Sequence, residues 1–163
     1  MNRFVIAAYV ENKYGVLTRV ASLFMRKGFN IDSLSVGETE DPRYSRITLT
    51  ASGDNATRDQ MVSQMYKLHN VRHVLVMDED NTLERELMFI KVRNTPENRA
   101  EVMDAASIYR GKIVDYSTNT LCVELTGDPG KISAFIELMK PLGIVELCRT
   151  GVIALERNRS ITA

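Results

Sequence analysis

The residues of this chain best placed to do chemistry lie between Glu11 and Val36, in ENKYGVLTRVASLFMRKGFNIDSLSV. Asn12-Lys13-Tyr14-Gly15 is a polar turn whose glycine meets an amphipathic stretch. Val16, Leu17, Val20, Leu23 and Phe24 recur at i, i+1, i+4, i+7 and i+8, one apolar face at helical period. A helix leaves its first N–H groups without intrahelical partners, and they carry a partial positive charge. A helix start at Gly15 therefore suits a small anion such as a carboxylate, held by the N–H groups of Gly15, Val16 and Leu17. Glycine has no Cβ and lets a ligand approach the backbone. Asn12 and Asn30 offer side-chain oxygens that can accept from an ammonium group. The same residues also fit an ordinary glycine loop, with Asn12 a turn residue and Asn30 a helix exit.

Little else reads as reactive. The chain has no paired-carboxylate, Ser-His-Asp or phosphate-loop pattern, so no catalytic residue is expected. Gly127-Asp128-Pro129-Gly130-Lys131 is too short for a phosphate loop and reads as a tight turn with a helix cap. His69 and His73 stand at i and i+4, but Asn70-Val71 breaks the helical pattern, so they straddle a helix end rather than bind metal. Cys122 and Cys148 sit in apolar strand-like runs and read as buried, inert thiols. No Cys or His pair has metal-ligand spacing. Arg46 reads as a solvated strand residue or a contact for a partner.

Composition bounds the partners. Of 163 residues, 44% are hydrophobic and 26% charged, enough for one domain or two small ones. Lys plus Arg and Asp plus Glu number 21 each, so no global charge draws the chain to nucleic acid or to an anionic membrane. The longest apolar run, Phe4 to Val10, falls far short of the ~20 residues of a membrane span. The amino terminus lacks signal-peptide form, and a cytoplasmic location is the default expectation.

The elements that must position the corner follow from periodicity. Phe4 to Val10 predicts a central strand. The helix ends at Gly28. Asn30 to about Glu38 alternates as a strand, and Glu40-Asp41-Pro42-Arg43 turns it. Ser45 to Ser52 predicts a half-exposed strand, with Ile47, Leu49 and Ala51 inward and Arg46, Thr48 and Thr50 outward. Thr57 to Leu68 predicts a helix burying Met61, Val62, Met65 and Leu68, and Val71 to Met77 a fourth strand. That order is βαββαβ, with both helices on one face of the sheet. The acidic Asp78 to Leu83 reads as a linker. The pattern then repeats. Leu87 to Val92 is a strand, and Thr95-Pro96 starts a helix that turns Val102, Met103 and Ala106 inward. Lys112 to Tyr116 and Thr120 to Leu125 are strands, and Asp128-Pro129 caps a helix burying Ile132, Phe135, Ile136 and Met139. Ile144 to Leu147 and Val152 to Leu155 close the second domain, and residues 157–163 should fray.

N-x-x-G-V-L-x-R-V-x-x-L-F from Asn12, G-F-N-I-x-S-L-x-V from Gly28, and S-R-I-T-L from Ser45 together resemble the small regulatory subunits of acetolactate synthase (acetohydroxyacid synthase). The likeness is continuous from about Phe4 to Val76. Residues 84–157 resemble that family's second domain more thinly, through Arg85-Glu86-Leu87, Gly111-Lys112-Ile113 and Arg149-Thr150-Gly151. The resemblance implies an α+β chain of two consecutive ferredoxin-like βαββαβ domains. Residues 1–77 would be an ACT domain for amino-acid binding and dimerisation, 78–83 a linker, and 84–163 a C-terminal regulatory domain. It also implies a non-catalytic subunit that activates a large catalytic subunit and confers feedback inhibition by valine or a related branched-chain amino acid. Thiamine diphosphate, magnesium and FAD would belong to the large subunit, and no cofactor to this chain. Asn12, Gly15, Val16, Leu17, Asn30 and Ile31 are the implied ligand contacts, with the Gly15 loop of one protomer facing the Asn30 strand start of another. A free-standing amino-acid sensor acting on another protein is the alternative.

Overall fold

A computed structural model describes residues 2–157. Glu84–Thr150 forms one compact unit, and the described residues on either side of it form the other. The first unit holds β1 (Asn2–Glu11), α1 (Val16–Lys27), β2 (Ser33–Glu38), β3 (Tyr44–Gly53), α2 (Asn55–Met65) and β4 (Val71–Val76). Its antiparallel sheet runs β2-β3-β1-β4. Alternation along β1 sends Phe4, Ile6, Ala8 and Val10 to one face, where Val16, Val20, Leu23 and Phe24 of α1 and Met61 and Met65 of α2 cover them. Gly28, at φ 69°, ends α1 by donating its N–H to Met25 O. The Asp54 carboxylate caps α2, accepting from Thr57 N at 2.8 Å.

The second unit repeats the order with most of β5 (Thr82–Arg93), then α3 (Arg99–Ile108), β6 (Lys112–Tyr116), β7 (Thr120–Gly127), α4 (Pro129–Met139) and β8 (Ile144–Arg149). The strand order is β6-β7-β5-β8, the same arrangement as in the first unit. Met88, Ile90 and Val92 of β5 and Leu121, Val123 and Leu125 of β7 pack under Val102, Ala105 and Ala106 of α3 and Ile132, Phe135 and Met139 of α4. Both predicted βαββαβ units are therefore present.

Several details differ from expectation. The stretch read as a linker is structured: Glu79–Asn81 forms a short 3-10 turn and β5 already begins at Thr82. α3 starts at Arg99 rather than at Pro96, because Thr95 and Asn98 close a turn on each other. Thr95 N–H donates to Asn98 Oδ1 at 2.9 Å, and Asn98 N–H donates to Thr95 Oγ1 at 3.3 Å. Ala105 takes the inward place assigned to Met103, which is exposed.

The largest difference is at the end of the chain. The segment 152–155, expected to close the second domain, does pair with β5, through β9 (Ile153–Glu156), but it is grouped with the first unit, whose residues it buries. Val152 and Ala154 are buried against Val5, Ala7 and Met77. Val5 and Ala7 alternate with the helix-facing residues of β1, so this segment covers the opposite face of the first sheet. Burying Val152 alone contributes roughly 1.5–3 kcal/mol. The segment explains why β3 is not half-exposed. Thr48 and Thr50, which share that face, are buried, and Thr50 Oγ1 lies 2.8 Å from Ser33 Oγ. The expected fraying of 157–163 concerns, beyond Arg157, residues outside those described; Arg157 N–H donates to Asn81 O at 2.7 Å.

Candidate functional site

The corner begins where β1 ends. Glu11 N–H donates to Asn70 O at 2.9 Å, and the Glu11 carboxylate accepts from Asn70 Nδ2 at 2.9 Å. Lys13 Nζ sits 3.0 Å from the same carboxylate, and Arg72 pairs with its other oxygen. The Lys13 and Asn70 hydrogen bonds, helped by the charge of Arg72, hold the Glu11 carboxyl down at about 2. Asn70 is itself buried and accepts at Oδ1 from Arg19 of α1 at 2.7 Å. Asn70 thus moors the first turns of α1 to the end of β1. Glu11, Arg19 and Asn70 escape sequence reasoning, because a buried asparagine in a turn carries no periodic signal.

Asn12 is fixed by the β2–β3 hairpin. Its N–H donates to Arg43 O at 2.8 Å, and its side-chain amide donates to Glu38 Oε1 at 2.9 Å and Pro42 O at 3.0 Å. With both amide hydrogens used, Oδ1 is the atom left to accept. Gly15 follows at φ 76°, the residue before the first turn of α1, with no side-chain cap. A Cβ there would meet nothing within 4 Å. The glycine is thus required by its left-handed backbone and not by crowding. Val16 N–H reaches back to Lys13 O at 3.3 Å, and the first i to i−4 bond runs from Arg19 N–H to Gly15 O at 3.0 Å. Leu17 and Thr18 occupy the next helical positions, where N–H groups have no preceding-turn carbonyl. Val16 points into the core, whereas Leu17 is partly exposed and Tyr14 is fully so at 105%.

Asn30 and Ile31 lie at the other end of α1, in the link between the Gly28 cap and β2. Asn30 Nδ2 donates to Asp32 Oδ1 at 2.7 Å, while Asp32 Oδ2 accepts from Ser52 Oγ at 2.7 Å. Ile31 packs on the first core and Asn30 is exposed. The 12 residues of α1 span ~18 Å at ~1.5 Å per residue. One chain therefore gathers Asn12, Gly15, Val16 and Leu17 at one end of α1 and keeps Asn30 and Ile31 at the other. A single amino acid cannot touch both groups within one chain. Exposed apolar side chains lie on both α1, at Leu17 and Met25, and β2, an edge strand, at Leu34 and Val36.

The remaining candidates settle as follows. Arg46 is not a solvated residue: its guanidinium lies over the Tyr9 ring at 5.1 Å and donates to Tyr9 OH at 2.5 Å and Ala154 O at 2.7 Å. His69 lies beyond the end of α2 and His73 on β4, as expected of residues straddling a helix end. Cys148 is exposed and Cys122 half-buried, against the expectation of two buried thiols, because β7 and β8 turn them to the sheet face away from α3 and α4. Burial pushes the Cys122 thiol up, away from reactivity. Among the described residues no group of His, Cys, Asp or Glu is arranged to hold a metal ion, and no helix is long and apolar enough to cross a membrane.

The thin motifs of the second half acquire a physical role. Glu86 is buried and accepts from Arg149 Nε at 2.5 Å. Leu87 N–H donates to Thr150 Oγ1 at 3.0 Å, and Thr150 N–H donates to Leu87 O at 2.9 Å. Arg85-Glu86-Leu87 and Arg149-Thr150-Gly151 therefore meet, at the place where the chain leaves the second unit.

Known proteins are similar to both halves of this chain. A family model for the AHAS small subunit-like ACT domain matches residues 6–73, and one for the small subunit of acetolactate synthase matches residues 85–158. A probable acetolactate synthase small subunit of Archaeoglobus fulgidus is 47% identical over 153 residues, 94% of this chain and 96% of that one. The acetolactate synthase small subunit of Mycolicibacterium smegmatis is 42% identical over 153 residues, 94% of this chain and 90% of the relative. The crystal structure of the acetolactate synthase small subunit of Thermotoga maritima superposes with a TM-score of 0.91 at 40% identity, covering 98% of this chain and all of that one. Two tandem ferredoxin-like units, an uncapped glycine corner and matches spanning both halves place this chain in the acetolactate synthase small-subunit family.

Proposed function

We propose that this chain is a non-catalytic regulatory subunit that activates the thiamine-diphosphate-dependent large subunit of acetolactate synthase and makes it sensitive to valine or a related branched-chain amino acid. Thiamine diphosphate, magnesium and FAD belong, in this reading, to the large subunit. The observation that carries the reading is the helix start at Gly15, which has no side-chain cap and open space where a Cβ would stand. An amino-acid carboxylate at that start gains ~0.3–1 kcal/mol exposed and up to ~2 kcal/mol partly buried. Burying its isopropyl group adds roughly 1.5–3 kcal/mol. These terms suffice only in an enclosed site, and one chain leaves the corner open.

A second copy encloses it. Pairing α1 and β2 with their symmetry mates covers Leu17, Met25, Leu34 and Val36 and brings the partner's Asn30 link toward the Gly15 corner. Isologous pairing of this kind is the commonest route to a dimer. Asn12 Oδ1 and oxygens near Asn30 then receive the ammonium group. Ligand binding favours one arrangement of the dimer, and that preference is the regulatory signal.

Gly15→Asp tests the reading. The side chain fills the open space beside the ligand carboxylate and sets a like charge against it. The positive φ adds a strain of ~1–2 kcal/mol, which the domain tolerates. Synthase activity of the reconstituted holoenzyme, with and without saturating valine, is the measurement. Activation should persist and inhibition should vanish. Wild-type inhibition in the variant would place the ligand elsewhere.

A further inference from the structure

We propose that residues 151–156 are a strap through which ligand occupancy at the start of β2 is felt by the second unit; this rests on the reading above and adds the route. The strap touches β2 at its first residues. A Cβ built on Gly151 would lie 2.4 Å from Leu34 O and 2.8 Å from Ser35 Oγ, so only glycine permits the approach. Val152 N–H donates weakly to Ser33 Oγ at 3.4 Å. Ser33 follows directly on the Asn30 to Asp32 link, where the ligand of a partner protomer is to be held.

The strap is fixed further along as well. Ala154 O accepts from Arg46 Nη2 at 2.7 Å, and Arg157 N–H donates to Asn81 O at 2.7 Å. Val152 and Ala154 are buried in the small cluster with Val5 and Ala7. One residue before Gly151, Thr150 is bonded at both its N–H and its hydroxyl to Leu87 of the second unit. A displacement of β2 therefore cannot be absorbed at Gly151, where backbone already meets backbone. It either moves the strap, and with it Thr150, or opens the seam. Close-packed contacts of this sort switch between discrete arrangements rather than deform smoothly.

Hydrogen exchange on the full chain, with valine binding measured in parallel by calorimetry, tests the route. Valine should slow exchange at residues 150–156 as well as at 30–37, by about ten-fold or more. Binding by calorimetry with protection confined to 12–37 would overturn the strap and leave the binding site standing. No binding by the wild-type chain would overturn both. Gly151→Ala provides a second arm. It should bind valine within a few-fold of wild type, while the valine concentration needed to inhibit the holoenzyme rises about ten-fold or more. Unchanged inhibition in that variant would refute the proposal. If Gly151→Ala fails to fold, Arg46→Met, which loosens the strap at Ala154 without crowding β2, carries the same expectation.

Discussion

Glu11 shows how a single residue supports the corner. Its carboxylate is held at about 2, against an ordinary value of 4.5, by Lys13, Asn70 and Arg72. Because the folded value lies below the unfolded one, the stability it contributes is complete above the ordinary carboxylate range. That contribution is lost as pH falls through 4.5 toward about 2. A carboxyl-detected NMR titration should find the Glu11 midpoint close to 2, and Glu11→Gln should flatten the acid limb of the unfolding curve; a midpoint near 4.5 would show that the network does not hold in solution. At this scale the sequence was legible where conformation alone decides. Gly15 and Gly28 read as helix boundaries, and both have positive φ. It was illegible where a polar residue serves a distant one. Asn70 is sequence-remote from Glu11 and Arg19, and only the fold brings the three together.

Elements were read well where one face is buried and the other wet. α1 shows its stripe because solvent bathes its far side, and its predicted inward residues Val16, Val20, Leu23 and Phe24 are the buried ones. β3 misled because its polar Thr48 and Thr50 are buried, Thr50 meeting the hydroxyl of Ser33 across the strands, under a cover that periodicity does not reveal. α3 misled because Thr95-Pro96 satisfies a capping rule, while the reciprocal Thr95–Asn98 bonds hold residues 96–98 in a turn before the helix begins at Arg99. β2 is an edge strand whose exposed Leu34 and Val36 lack the charges that usually blunt such edges. Val36→Lys should supply one. Sedimentation velocity at micromolar concentration should show wild type as a dimer and Val36→Lys shifted to monomer. A dimer unaffected by the lysine would place the contact on another surface.

At the scale of the molecule, the first unit is discontinuous, and the second is inserted between β4 and β9. Period-2 alternation at 152–155 announced a strand, and β9 joins β5 as a strand closing the second sheet should, but the pattern carries no information about the first-unit residues that Val152 and Ala154 bury. Cutting the chain after Asp80 would remove the strap and uncover Val5, Ala7 and Met77. Loss of Val152 burial alone costs roughly 1.5–3 kcal/mol. Such a fragment should unfold at lower urea than one in which residues 1–83 are joined to 151–163 through a short Gly-Ser linker. Equal midpoints would mean that the strap adds nothing to the unit. The discontinuity also bears on birth order. During synthesis the residues that seal the back of the first sheet leave the ribosome only after the whole of the second unit. At ~5–20 residues per second that delay is roughly 4–15 s. Throughout it the nascent first unit leaves Val5, Ala7 and Met77 without the cover of Val152 and Ala154. A ribosome stalled anywhere within the second unit would leave that face open, so the first unit is complete only when the whole chain has been made.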